Sequence, residues 1–100
     1  MLKKLTKKEI VNQLKDSEKW TIDSQELRRE WIFANFDEAM SFVLRVSFIA
    51  QHHGHHPVIK NIYNKVELRL NTHDADNQIT EFDIRLANSI SEIGLGVELE

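Results

Sequence analysis

The sequence has no cysteine, and only one proline and three glycines among its 100 residues. Without cysteine, disulfide bonds, thiolate catalysis and cysteine-based zinc sites are excluded. With so little proline and glycine no linker is visible, and we expect a single domain over residues 1–100. No apolar run approaches the roughly 18 residues of a membrane span, so no membrane partner is expected. The amino-terminal stretch lacks the apolar region of a secretory signal, which makes a cytoplasmic location the expectation.

The chain also lacks a strong excess of either charge. It carries 13 Lys and Arg against 16 Asp and Glu, for a formal net charge of −3. Binding to nucleic acid normally needs a basic stripe, so no nucleic-acid partner is expected. We interpret the amino-terminal lysines at positions 3, 4, 7 and 8 as a solvated helix face.

Three helix starts are marked by a capping residue followed three positions later by an acidic residue. These pairs are Thr6–Glu9, Asn35–Glu38 and Thr80–Asp83. The first helix should end near Asp16, the second just before Gly54, and the third at Gly94, followed by a loose tail over residues 94–100. Apolar spacing predicts one buried stripe on each helix. In the first helix the stripe consists of Ile10, Val11 and Leu14, and in the third of Ile84, Ala87, Ile90 and Ile93. In the second helix it consists of Phe36, Ala39, Met40, Val43, Val46, Ser47 and Ala50.

Four strands are predicted between the helices, in two hairpins. The first pairs Trp20–Ile22 with Glu26–Asn35, and the second pairs Val58–Tyr63 with Val66–Thr72 across a turn at Asn64-Lys65. One face of the sheet should carry Leu27, Arg29, Trp31, Phe33, Val66, Leu68 and Leu70. The Arg29 stem can lie along that face while its head reaches water. The fold class is therefore α+β, in the order α-β-β-α-β-β-α, with helices packed on one face of a four-stranded antiparallel sheet.

Histidine is concentrated in one short segment: His52, His53, His55 and His56 lie within five positions, and His73 follows 17 residues after His56. Because a hairpin returns to its starting point, we expect His73 to face the same pocket as His55 and His56. Three interpretations remain open on these residues alone. They are a solvated helix end, a metal site, and an acid–base pocket whose imidazoles exchange protons near neutral pH.

Four sequence elements stand at spacings that are characteristic when taken together. They are His55-His56-Pro57, the run Asn61 to Val66, Thr72-His73, and Thr80 with Asp83. Together they resemble the pterin-4a-carbinolamine dehydratase family, also called 4a-hydroxytetrahydrobiopterin dehydratases. The family motif has an aromatic residue six positions after the proline, which is Tyr63 here. It has a histidine ten positions later, His73, and an aspartate about ten further on, Asp83. Members differ from this chain at Gln51, Gly54 and Phe82, which puts substrate preference and rate in question.

The resemblance implies a hydro-lyase that removes water from a 4a-hydroxytetrahydropterin without a metal or organic cofactor. The product is the quinonoid dihydropterin, which is recycled as the cofactor of aromatic amino acid hydroxylases. By this analogy His55, His56 and His73 are catalytic, while His56, Asp83 and Tyr63 contact the substrate. His52 and His53 lie outside the motif and should be solvated. A homodimer or homotetramer is implied, and a non-catalytic, coactivator-like partner-binding protein on the same fold is the alternative.

Overall fold

The structure is a computed structural model that describes residues 2–93 and 98–99. Its elements are α1 (Lys7–Gln13), β1 (Thr21–Asp23), β2 (Glu26–Ile32), α2 (Phe36–His53), β3 (Val58–Ile62), β4 (Lys65–Leu70), α3 (Glu81–Ser91) and β5 (Glu98–Leu99). The strands form an antiparallel sheet in the order β1-β2-β4-β3, and the short β5 pairs with β2. The predicted α-β-β-α-β-β-α order and sheet are confirmed.

The predicted helix caps account for where the helices begin. Thr6 and Thr80 form complete capping boxes, whereas at α2 only the Asn35 side chain accepts a hydrogen bond, from the Glu38 amide. The predicted end of α1 near Asp16 is wrong, because the helix stops at Gln13. There the Asn88 side chain accepts from Lys15 N–H at 2.9 Å and donates to Gln13 C=O at 3.1 Å. A residue of α3 thus satisfies the backbone groups at the end of α1.

Both hairpin turns use residues with positive φ. In the first, between β1 and β2, Ser24 and Gln25 have φ of 52° and 67°. The second turn lies one residue earlier than predicted, at Tyr63-Asn64, because Lys65 already pairs with Ile62. Asn64 is held in place by its amide group, which donates to Phe33 C=O at 2.9 Å. The β3–β4 hairpin is thereby tied to the end of β2.

The core lies between the sheet and the helices. The predicted inward residues of β2 and β4 are buried, together with Phe33, which follows β2. Trp31 and Phe33 pack against Phe42, with ring centroids 4.7 Å and 5.1 Å from it. The predicted helical stripes need correction at several positions. Two core residues were missed, Phe42 and Leu86, while several predicted stripe residues are exposed, namely Val11, Phe36, Met40 and Ser47.

The guanidinium group of Arg29 is buried, contrary to the prediction that it reaches water; the residue is 4% exposed. Its Nη1 lies 3.4 Å from Asp16 Oδ2 and 3.1 Å from Ser91 Oγ. Its Cζ lies 4.8 Å from the ring centre of Trp31 and 5.5 Å from that of Trp20. Burial lowers the pKa of Arg29, against the opposing effect of Asp16. The side chain therefore joins β2, α3 and the loop after α1 within the core.

The predicted loose tail, residues 94–100, falls mostly outside the described residues. Its described part, Glu98–Leu99, pairs with Ile32 and Trp31 of β2, so these two residues are not loose. The third helix ends at Ser91, earlier than predicted, and Gly94 is not among the described residues. Within the described ranges, no helix is both long enough and apolar enough to cross a membrane.

Candidate active site

The His55-His56 pair begins where α2 ends. Gly54 adopts the left-handed conformation with φ of 63°, as a helix C-cap glycine does. The backbone then turns so that His55 N–H donates to Ala50 C=O at 3.1 Å. Pro57 follows and favours an extended chain into β3. The two imidazoles are therefore held on a short connection between a helix and a strand.

His73 reaches the same place from the other end of the hairpin. Thr72 pairs with Gln78 in an isolated bridge, and His73–Ala75 form one turn of 3₁₀ helix. His55, His56 and His73 consequently line one cleft of about 320 Å³. The other residues that line it are Leu2, Gly54, Asn71, Thr72, Asp74 and Phe82. The predicted convergence of the three histidines is thus present in the fold.

Behind the cleft, His55 contacts a buried carboxylate. Its Nε2 lies 2.5 Å from Asp83 Oδ1, and the Asp83 side chain is fully buried while that of His55 is 16% exposed. Asp83 also occupies the third position of α3, where its side chain accepts from the Thr80 amide. The same carboxylate therefore caps a helix and contacts an imidazole of the cleft.

Two buried threonines complete the surroundings of Asp83. Thr72 Oγ1 donates to Asp83 Oδ2 at 2.7 Å, and the Thr80 amide donates to the same oxygen at 2.9 Å. The two threonine hydroxyls lie 2.6 Å apart. Both threonines and Asp83 are buried, so water does not compete for these hydrogen bonds. Asp83 is held from several directions and can hold His55 in turn.

The other two histidines of the cleft, His56 and His73, face solvent, and each makes one polar contact with the described part of the chain. His56 Nε2 lies 3.0 Å from Gln51 Oε1, and His73 Nδ1 lies 3.1 Å from Asn77 Oδ1. Both side chains are exposed. They are therefore accessible to a molecule that enters the cleft, whereas His55 lies deeper.

One side of the cleft is apolar. The Phe82 ring centre lies 6.0 Å from that of His55, at an interplanar angle of 48°, and Leu2 lines the cleft beside it. The amino-terminal segment is fixed here because Leu5 N–H donates to Ile79 C=O at 2.9 Å. A flat heterocycle could contact an apolar surface on this side and polar groups on the other.

The predicted substrate contact Tyr63 does not line this cleft. It lies in the β3–β4 turn, beyond the opposite end of β3 from Pro57, and is 64% exposed. At about 3.3 Å per residue, the strand carries it roughly 20 Å away from the histidine pair. The direction in which the Tyr63 side chain points does not shorten this distance, because the separation lies along the strand axis. Within one chain, Tyr63 is therefore remote from the three histidines.

The interpretation of His52 and His53 as solvated residues holds only for His52. His53 is half-buried, and its Nε2 lies 3.0 Å from Ser89 Oγ of α3. Both histidines line a separate groove with Phe48, Ile49, Ser89, Glu92 and Ile93. Among the residues that the structure describes, no three His, Asp or Glu side chains are grouped so as to hold a metal ion.

Comparison with known proteins shows the family to which the chain belongs. The family model for pterin 4 alpha carbinolamine dehydratase matches residues 3–93, which include every residue that lines the cleft except Leu2. The chain belongs to the pterin-4a-carbinolamine dehydratase family. A protein of Burkholderia pseudomallei strain 1710b named "Putative pterin-4-alpha-carbinolamine dehydratase" is 44% identical over 96 residues, covering 94% of each chain. One of the same name from Christiangramia forsetii is 39% identical over 93 residues, covering 93% of this chain and 95% of its own.

A solved structure agrees with this family assignment. The "transcriptional coactivator/pterin dehydratase" of Brucella melitensis superposes with a TM-score of 0.79 at 29% identity, covering 91% of this chain and 98% of its own. The pterin-4a-carbinolamine dehydratases are named for a dehydration, so this chain is classed by homology with the hydro-lyases.

In this member of the pterin-4a-carbinolamine dehydratase family, sequence reasoning missed the side-chain role of Thr72. The signal was present, because Thr72 continues the inward alternation of Val66, Leu68 and Leu70 and therefore points into the protein. Leu2 was missed as well, and for it no signal exists, since only tertiary packing brings the amino terminus to the cleft.

Proposed function

We propose that this chain catalyses the dehydration of a 4a-hydroxytetrahydropterin to the quinonoid dihydropterin. The observation that carries the proposal is the cleft itself, where a buried carboxylate contacts one of three converging imidazoles. Its volume of about 320 Å³ lies at the lower end of the usual range for small-molecule sites. The reaction removes a proton from the ring nitrogen and breaks the C4a–O bond, and the hydroxyl leaves as water after taking up a proton.

His55 and His73 are the proposed acid–base pair, since one proton must leave the substrate while another reaches the departing hydroxyl. His56, which is exposed at the cleft, would bind and position the pterin. Asp83 would orient His55 through the contact between Nε2 and Oδ1. Tyr63 could meet a substrate only at a cleft other than that of its own chain, so we omit it from this mechanism.

We further propose that the protein self-associates through the outer side of α2. Four large apolar side chains recur every fourth residue on this helix, at Phe36, Met40, Leu44 and Phe48, and all are exposed. A second copy packed antiparallel would cover this α2 stripe with its own. That orientation also brings the acidic first turn of one helix, with Asp37 and Glu38, beside the histidines in the last turn of the other.

The proposed activity is tested by following the absorbance of freshly generated 4a-hydroxytetrahydropterin in metal-free buffer. We expect the wild type to accelerate the loss of water. His55→Ala and His73→Ala should each lower the rate by about 10²–10⁴-fold, the usual contribution of a general acid or base. Asn12→Ala is the control, because Asn12 is exposed on α1, outside both the cleft and the α2 stripe, and the rate should be unchanged.

Near-normal turnover in both cleft variants would contradict the proposed mechanism. No acceleration by folded wild type would contradict the activity itself. In that case a non-catalytic partner-binding role, the alternative on this fold, would become the better interpretation.

A further inference from the structure

The buried hydroxyl of Thr72 has no assigned part in the proposed reaction, yet it lies two hydrogen bonds from an imidazole of the cleft. The direction of each bond in this group can be worked out from which atoms are able to donate. The backbone amide of Phe82 donates to Thr80 Oγ1 at 3.3 Å, and the Thr80 amide donates to Asp83 Oδ2. Neither of these two donors can reverse its role.

Thr72 has one hydroxyl proton and two oxygen neighbours, Thr80 Oγ1 at 2.6 Å and Asp83 Oδ2 at 2.7 Å. An ionised carboxylate only accepts, so the Thr72 proton goes to Asp83. The Thr80 hydroxyl must then donate to Thr72. The chain of donation thus runs from Thr80 to Thr72 to Asp83 Oδ2.

The remaining oxygen, Asp83 Oδ1, faces His55 Nε2 at 2.5 Å. Since the carboxylate cannot donate, Nε2 must carry the proton. In a neutral imidazole the other nitrogen, Nδ1, then holds the free lone pair. Among the described residues Nδ1 has no hydrogen-bond partner, so that lone pair is not already engaged by the protein.

We infer that Thr72 is a positioning residue, which with Thr80 orients Asp83 so that His55 is held as the Nε2–H tautomer with Nδ1 as its proton-accepting atom. If the proposed function is correct, His55 is thereby the general base, and His73 protonates the departing hydroxyl. The inference rests on the proposed function for this catalytic consequence, but the tautomer itself is a property of the protein without substrate.

The tautomer is measured by nitrogen-15 NMR of the imidazole side chains, which separates protonated from unprotonated ring nitrogens. The spectrum of the substrate-free protein is taken at about pH 9, well above the reference histidine pKa of about 6.5. We expect His55 Nε2 to be of the protonated type and Nδ1 of the unprotonated type. The exposed His52 should give shifts averaged between the two tautomers. Assignment of His55 uses the loss of its signals in His55→Gln.

Two substitutions at Thr72 distinguish the effect of losing its hydroxyl from the effect of changing the shape of its side chain. Thr72→Val removes the hydroxyl at nearly constant volume, and Thr72→Ser keeps it. We expect the His55 shifts to move towards the averaged values in Thr72→Val and to return in Thr72→Ser. The rate constant kcat should fall about 10–100-fold in Thr72→Val, as for other groups that orient a functional imidazole, with KM nearly unchanged. Thr21→Val, the same change at an exposed threonine of β1, should alter neither readout.

A wild-type spectrum with the proton of His55 on Nδ1 would overturn the inference, without depending on whether any variant folds. Unchanged His55 shifts in a folded Thr72→Val protein would overturn the role of Thr72. Failure of the proposed function would give a different result from failure of this inference. The wild type would then show the expected His55 tautomer but would not dehydrate the pterin.

Discussion

At the scale of single residues, Arg29 shows how one side chain can have two separable contributions to stability. Its guanidinium packs against Trp20 and Trp31, and Nη1 of the same group contacts Asp16 and Ser91. We expect Arg29→Ala to lower the free energy of unfolding by about 3 kcal/mol, because it removes both the packing and the partner of Asp16. Urea denaturation monitored by tryptophan fluorescence measures the change.

Arg29→Met is the informative comparison for that substitution. Methionine keeps an unbranched apolar side chain beside the indoles but gives up the charge, and the Asp16 side chain left without its partner is 38% exposed, so water can hydrate it. We therefore expect it to lose about 1 kcal/mol or less. Equal losses in the two variants would mean that the ionic contacts, rather than the packing, dominate.

At the scale of secondary-structure elements, the junction between α2 and β3 decides where the histidine pair lies. Gly54 has φ of 63°, and a Cβ added there would meet no atom within 4 Å. Gly54→Ala should therefore cost only the backbone strain of a left-handed residue, about 1 kcal/mol. For a domain of this size, that corresponds to a fall in Tm of about 4–8 °C, measured by thermal circular dichroism.

Gly54→Asn provides the control at this junction, because asparagine tolerates the left-handed conformation better than alanine. It should retain more of the wild-type Tm. A larger loss in Gly54→Asn than in Gly54→Ala would indicate that side-chain contacts, and not φ, set the requirement for glycine.

At the scale of the whole molecule, the α2 stripe is an apolar surface that one chain leaves uncovered. Leu44 is 56% exposed and Phe48 is 68% exposed. If a second copy covers them, Leu44→Lys with Phe48→Lys should convert the oligomer to a monomer, since paired lysines would be desolvated in the interface. Light scattering after size-exclusion chromatography reports the mass directly.

Val11→Lys is the control for self-association, because Val11 is also an exposed apolar residue but lies on α1. It should leave the mass unchanged. A monomeric wild type, or an oligomer that survives the double substitution with its helix content intact, would contradict the proposed interface.

The order of elements and the convergence of the histidines followed from the sequence because both depend on local signals. Threonine and asparagine caps mark the starts of the three helices. Alternation along β4 determines which of its side chains point inward. A two-residue turn returns a hairpin to its origin, so His73 had to come near His55 and His56. These features need no knowledge of how distant parts of the chain pack.

Tertiary structure decided the features that depend on distant partners. Asn88 ends α1 from another helix, and the guanidinium of Arg29 is buried because Asp16 and Ser91 meet it there. Periodicity alone could not separate Phe42, which packs inward, from Met40, which is exposed, because apolar residues occur around most of the circumference of α2. The sequence by itself determined which residues could form the cleft. Only the packing of α3 against the end of β4 decided that Thr72, Thr80 and Asp83 are buried away from water. Burial lets them orient His55, since hydrogen bonds direct a side chain strongly only where water is excluded.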